Sequence, residues 1–218
     1  MRRYVVWIAA AGVAAVSGSA MVVHSQEQQK APRPVDAERA KLIEEFKRTG
    51  LATTPEDAML LRVLVQARGA KRGIEVGTER GFGAINMGIG FERNGGHLFT
   101  IEISPKVADE ARANLERAGL SKTVTVITGD ALKMLPTLEG EFDFLFLDAL
   151  KSDYLKYLKL VEKKLKPGSV IVADNVIRSA NAMKDFLDYM RESPDYEMVI
   201  VRASEAKRDG MAICCKIR

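Results

Sequence analysis

From residue 36 onward, apolar and polar positions change period in a regular alternation. Short runs rich in Val, Ile, Leu and Phe predict strands at residues 73–76, 97–103, 124–127, 142–147, 170–173, 196–201 and 211–217. Helical spacing predicts helices between them at residues 82–91, 104–119, 131–135, 153–165 and 181–191, with Lys166-Pro167-Gly168 closing the fourth. Two more helices precede the first strand. One is capped by Asp36, carries Leu42, Ile43 and Phe46 among its apolar positions, and ends at Gly50. The other opens on Thr54-Pro55-Glu56-Asp57, a capping residue followed by a first-turn proline and two acids. Strand–helix alternation implies an α/β fold, a mostly parallel sheet with helices on both faces and right-handed crossovers. Only the short polar stretch 203–210 separates the last two strands, so they pair as an antiparallel hairpin.

The first 25 residues lie outside this pattern. Arg2-Arg3, an apolar run over residues 4–16 and the small residues 17–20 follow the order of a secretory signal peptide. The apolar character continues through Val23, and about 20 such residues are enough for an uncleaved membrane anchor. A start at Met21 is the third reading. Residues 26–35 are polar and proline-bearing, a linker, and residues 36–218 form one domain. With a genuine leader the protein is exported or anchored in an envelope, touching the membrane through this segment; otherwise it is cytoplasmic. Arginines ahead of the apolar run place the folded domain across the membrane.

Composition narrows the function classes. A chain of 218 residues with 47% hydrophobic content can bury a full core. Its net charge of +4 is mild, and no long basic block carries interleaved aromatics, which argues against nucleic-acid binding. The two cysteines, Cys214 and Cys215, are adjacent; on a strand they face opposite ways and do not pair with each other. His24 and His97 are too far apart to anchor a His-based triad or zinc site.

The chemistry gathers at predicted strand ends. The run 142–147 ends in Asp148-Ala149-Leu150-Lys151 and the run 170–173 in Asp174-Asn175. Ligands of open α/β sheets bind beyond the carboxyl ends of strands. Asp148, Asp174 and Asn175 therefore converge as two carboxylates and an amide oxygen, a donor set suited to Mg²⁺ or another hard divalent cation. Lys151 adds an amine to the same rim. The first strand runs through Glu75-Val76-Gly77 into Gly81-Phe82-Gly83, glycines that let a ligand approach the backbone at a strand-to-helix turn. Glu102 ends the second strand, where an acid accepts hydrogen bonds from ribose hydroxyls. Gly129-Asp130-Ala131, after the third, lines an adenine pocket in this reading. An acid, glycines and a second acid, in that order, point to S-adenosylmethionine.

On Glu75-Val76-Gly77 with Gly81-Phe82, residues 100–103, Phe146-Leu147-Asp148 and residues 173–177, the chain from about Thr53 onward resembles the metal-dependent small-molecule O-methyltransferases of the catechol and caffeoyl-CoA type. The resemblance implies a Rossmann-like seven-stranded sheet with a carboxyl-terminal antiparallel hairpin. It implies that Thr53, Glu75, Gly77, Gly83, Glu102, Ile103 and Ala131 contact the cofactor, with Gly81, Asp130 and Asp148 beside them. It implies metal ligation by Asp148, Asp174 and Asn175, with Lys151 as general base toward a catechol-like hydroxyl. There are departures. Leu150 replaces an acid common in caffeoyl-CoA-type members, the catechol-type tryptophan is missing, and alignment on Asp209-Gly210 puts Ala203 where an acid would touch the second hydroxyl, with Glu205 reachable only by a shift. Rival readings are transfer to another acceptor on the same fold, against which no Asn/Asp-Pro-Pro-aromatic signature follows the fourth strand, and a non-catalytic exported cofactor binder. Monomer and homodimer both remain open.

Overall fold

Seven strands hydrogen-bond into one sheet: β1 (Arg72–Val76), β2 (His97–Glu102), β3 (Val124–Thr128), β4 (Phe142–Leu147), β5 (Leu165–Ala173), β6 (Tyr196–Val201) and β7 (Met211–Lys216). Their order is β3-β2-β1-β4-β5-β7-β6. The first five are parallel, and β7 pairs antiparallel with both β5 and β6, as the short final connection requires. This is the mostly parallel sheet expected from the alternation, in the Rossmann-like arrangement that the resemblance implies. The computed structural model describes residues 34–50 and 52–218. The leader and nearly all of the linker lie outside these residues, and no described helix is long and apolar enough to cross a membrane.

Helices pack on both faces because the strand residues alternate between two cores. On β4, which is buried along its whole length, Phe144 and Phe146 face one core, whereas Leu145 and Leu147 face the other. The first core is covered by α2 (Pro55–Arg68), α3 (Phe82–Asn94) and α4 (Pro105–Arg117). The second is covered by α5 (Ala131–Met134), α6 (Tyr154–Val161) and α7 (Lys184–Glu192). The α2 start is the expected one: the Thr54 hydroxyl accepts the Asp57 N–H at 3.2 Å, and Pro55 occupies the first turn. Every residue from Phe82 to Phe91 is buried, since α3 lies between the sheet and α2. A Cβ at Gly90 would sit 2.9 Å from Val65 Cγ1 and 3.2 Å from the Arg62 carbonyl, so glycine sets the distance between the two helices.

Three boundaries differ from expectation. Helix α1 runs from Pro34 to Glu44, so Asp36 lies in its first turn rather than capping it, and the chain leaves the helix well before Gly50. Residues 166–168 belong to β5, not to a helix closure. Helix α6 gives way to a 3₁₀ turn at Glu162–Lys164, and β5 already pairs with β4 at Leu165. The register then shifts between Phe142 and Phe144, with Gly168 at φ 80°: an irregularity absorbs the proline and glycine that the pattern suggested were a stop.

The sheet order reverses at β1, which has β2 on one side and β4 on the other. Such a switch point opens a crevice at the carboxyl ends of the strands. The ladder continues one residue beyond the strands here. Gly77 N–H donates to the Ile101 carbonyl, Asp148 N–H to that of Val76, Asp174 N–H to that of Leu147, and Gly129 N–H to that of Glu102, all at 2.9–3.0 Å. Gly77 sits at φ 98°, and a Cβ on it would fall 2.2 Å from the Asp148 carbonyl oxygen. Gly77→Ala should therefore lower stability by about 2–4 kcal/mol through backbone strain and overpacking. Urea unfolding of the parent and the variant measures it; equal midpoints would show that the β1–β4 approach does not require glycine.

Candidate active site

The crevice is a cavity of about 990 Å³, walled by the ends of β1, β2, β3, β4 and β5, the start of α2, and Lys207 from the β6–β7 connection. Glu75, one residue before the end of β1, is paired in register with Thr100 on β2 and Phe146 on β4. Its flanking residues Ile74 and Val76 face the α5–α7 core, so its carboxylate turns the other way, beneath α3. A Cβ on Gly83 would lie 2.8 Å from Glu75 Oε1 and 3.4 Å from Thr53 Oγ1, so these groups meet where glycine leaves room. Thr100 donates to Glu75 Oε2, and Thr100 and Thr78 share a short hydroxyl contact. Glu75 is 1% exposed. Burial raises its pKa from 4.5 to about 8, against the Thr100 hydrogen bond and with help from Asp148 and Glu102. A ligand ammonium placed there would restore the carboxylate.

Glu102 ends β2 with each oxygen aimed by a backbone donor: Oε2 accepts the Glu79 N–H at 3.0 Å and Oε1 the Ser104 N–H at 2.9 Å. Glu79 reaches that position with φ 50°. Ile103 next to it is 71% exposed and lines the cavity, an apolar surface open to a flat ring. Asp130 caps α5 through Oδ1, which accepts the Leu132 N–H at 2.9 Å, and Asp130 and Ala131 line the same wall. Gly81 departs from expectation. It adopts φ 91° at the start of α3, its side-chain position faces Ala111 of α4 at 3.6 Å, and it is absent from the cavity wall. Its part is to form the turn.

At the β4 and β5 ends, Asp148, Asp174, Asn175 and Lys151 meet as the sequence predicts. Asn175 adopts φ 62°, and its Nδ2 donates to Asp209 Oδ2 at 3.3 Å, which leaves the amide oxygen as the acceptor facing its surroundings. Asp209 also accepts the N–H groups of Ile177, Arg178 and Gly210 and so fixes the loop; these donors lower its pKa although burial opposes them. Lys151 Nζ lies 2.8 Å from Asp148 Oδ1 and 2.8 Å from the Tyr154 hydroxyl, which in turn donates to the Asp174 carbonyl at 3.2 Å. Lys207 Nζ bonds both carboxylate oxygens of Asp174, at 2.6 Å to Oδ1, and Asp57 Oδ2 at 3.1 Å. Burial and the neighbouring Asp148 push the Asp174 pKa to about 6, with Lys207 opposing. Burial acts to lower the Lys207 pKa, but Asp174 and Asp57 outweigh it and hold the ammonium above the usual lysine value.

Among the described residues no three His, Cys, Asp or Glu side chains cluster to hold a metal ion. A cation at this rim therefore depends on the Asn175 amide joining Asp148 and Asp174. That donor set, two carboxylates and an oriented amide oxygen, fits a hard divalent ion. Lys151 and Lys207 supply the positive charge the carboxylates otherwise lack. Lys207, Asp57 and Tyr154 went unread as site residues in the sequence, although Tyr154 falls one helical turn after Lys151 and Lys207 two residues before Asp209-Gly210.

A switch-point cavity with an acid under the glycine loop and an acid at the β2 end defines the S-adenosylmethionine-dependent methyltransferase class. The chain belongs to the O-methyltransferase family, whose model it matches over residues 34–215. It is 37% identical over 139 residues to a catechol O-methyltransferase of Niastella koreensis, spanning 62% of each chain. It is also 37% identical over 176 residues to a catechol O-methyltransferase of Mycobacterium tuberculosis, covering 75% of this chain and 80% of that one. The O-methyltransferase of Bacillus cereus, solved in complex with SAH, superposes with a TM-score of 0.74 at 28% identity, over 87% of this chain and 93% of that one.

The Glu75 environment has a consequence for stability. Unfolding returns this carboxyl to its ordinary value of 4.5, whereas the folded chain keeps the proton up to about pH 8. Between those values the folded state binds more protons, so stability without cofactor falls as pH rises through that window. Asp174, raised to about 6, steepens the lower part. Urea unfolding across pH 5–8 should show this fall, and Glu75→Gln should flatten it; an unchanged slope in the variant would mean Glu75 is ionised in the folded protein.

Proposed function

We propose that the protein transfers the methyl group of S-adenosylmethionine to one hydroxyl of a catechol-like small molecule, with a divalent cation, Mg²⁺ in the simplest case. The observation that carries this reading is the convergence of Asp148, Asp174, Asn175 and Lys151 on the rim of the cavity that Glu102 lines, with the buried Glu75 next to Gly83 of its wall. In this reading the cofactor's amino group meets Glu75 near Thr53 and Gly83, with Gly77 allowing close approach. Its ribose hydroxyls meet Glu102, and its adenine lies against Ile103, Asp130 and Ala131. This arrangement points the sulfonium toward Asp148 and Lys151. Asp148, Asp174 and Asn175 would hold the metal, which would supply positive charge that acidifies the acceptor hydroxyl.

The remaining work falls to this chain's own groups. Displacement at a methyl carbon needs oxygen, carbon and sulfur nearly in line, so the strand ends act by fixing cofactor and acceptor relative to one another. Lys151 Nζ receives the hydroxyl proton. Tyr154 holds that amine from beneath, and burial together with Asp148 and Asp174 raises the Tyr154 pKa well above its ordinary value, so the phenol stays a neutral hydrogen-bonding post. The exposed Leu150 and neighbouring Ala149 form an apolar wall suited to an aromatic ring. The catechol O-methyltransferases to which the chain is similar support a small-molecule acceptor.

Methyl transfer to a panel of catechols and caffeoyl thioesters, with and without EDTA, tests the proposal. Turnover on a catechol that disappears with chelation and returns with Mg²⁺ is the expected result; full turnover in metal-free protein would rule out the cation. Lys151→Met should reduce kcat by about two to four orders of magnitude, the span of general-base catalysis. A variant retaining parental turnover would remove Lys151 from the reaction.

A further inference from the structure

The segment joining β6 to β7 sends Lys207 back across the rim. Its ammonium bonds both oxygens of Asp174 and one of Asp57, and its side chain is 15% exposed. Asp57 and Asp174 are each 2% exposed, so the three charges form a nearly dry triad linking α2, the β5 end and the β6–β7 connection. Asp174 is thus already neutralised, with both of its carboxylate oxygens in contact with an ammonium. A divalent ion bound to the same carboxylate would face a positive charge a few ångströms away.

We propose that Lys207 is a tethered cation that competes with the divalent metal for Asp174, so that metal enters as the Lys207 ammonium withdraws. The proposal rests on the metal reading of Asp148, Asp174 and Asn175. Three consequences follow from the geometry. The site holds metal more weakly than its two carboxylates would hold it alone, since binding must displace an internal ion pair. Withdrawal also strips Asp57 of its counter-charge in a buried position, so the start of α2, next to Thr53 at the cavity, responds to metal entry. And the β6–β7 connection loses its Lys207 tie when metal is bound, while Asp209 still holds it to Ile177 and Arg178. Without metal, Lys207 keeps two buried carboxylates compensated and the rim folded.

Mn²⁺ titration of the full chain, followed by electron paramagnetic resonance of the free ion, tests this apart from catalysis. Lys207→Met and Lys207→Gln should each bind Mn²⁺ about tenfold or more tightly than the parent, because a repelling unit charge is removed from the site. Lys207→Arg, which returns a positive charge, should stay within about threefold of the parent. Circular dichroism melts establish which variants are folded, and Lys207→Gln carries the comparison should the methionine variant fail. Folded neutral variants with parental or weaker Mn²⁺ affinity overturn the competition while leaving the metal reading in place. Absence of Mn²⁺ binding in the parent and every folded variant overturns both.

Discussion

Repulsion among carboxylates at one end of a parallel sheet shapes most of what surrounds the cavity. Glu75, Glu102, Asp148 and Asp174 project from the ends of four adjacent strands, with Asp57 arriving from α2. Two like charges about 4 Å apart near a protein surface interact by roughly 4 kcal/mol, a cost large against the net stability of a domain. The chain answers differently at each position. Glu75, the most enclosed, keeps its proton to about pH 8 and leans on Thr100. Glu102 takes two backbone N–H donors. Asp148 and Asp174 each take a lysine.

The topology explains why the acids crowd. With order β3-β2-β1-β4-β5, the chain leaves the sheet in both directions from β1, so neighbouring strand ends diverge into a crevice instead of being covered by a crossover. Backbone hydrogen bonds beyond each strand hold these ends in step, and Gly77 permits the closest approach, between β1 and the residue after β4. The same crowding makes the site useful. In the proposed reading, a cofactor carrying an ammonium and a sulfonium, with a divalent cation beside it, would bring the positive charge that the rim otherwise takes from its own lysines. Ligand binding would then relieve the repulsion that folding leaves in place, and Lys151, released from Asp148, would be free to take the hydroxyl proton.

Much of the architecture was legible in the sequence because the strands are buried on both faces: runs such as Phe144-Leu145-Phe146-Leu147 admit few other readings. The acids at their ends followed from the rule that parallel sheets bind ligands there. What escaped was of two kinds. Local punctuation misled where tertiary pairing overrode it: Pro167 and Gly168 signal a stop, yet β4 recruits Leu165 into β5 across an irregular register. Long-range partners left no local mark. Asp57 reads as a helix-start acid and Lys207 as part of the short polar stretch before the last strand, and they meet across 150 positions only because α2 and the β6–β7 connection fold over the same rim. Gly81 misled for a different reason, since its positive φ serves the turn into α3 and not a ligand.

In the proposed mechanism the paired carboxylates at the β4 and β5 ends hold a divalent cation beside S-adenosylmethionine. Anomalous diffraction from crystals grown with Mn²⁺, the cofactor and a catechol tests it most directly. One strong anomalous peak within ligand distance of Asp148, Asp174 and Asn175 is expected, with the Lys207 ammonium withdrawn from Asp174. Crystals that turn over substrate, yet show no peak at this rim and keep Lys207 bonded to Asp174, would contradict it.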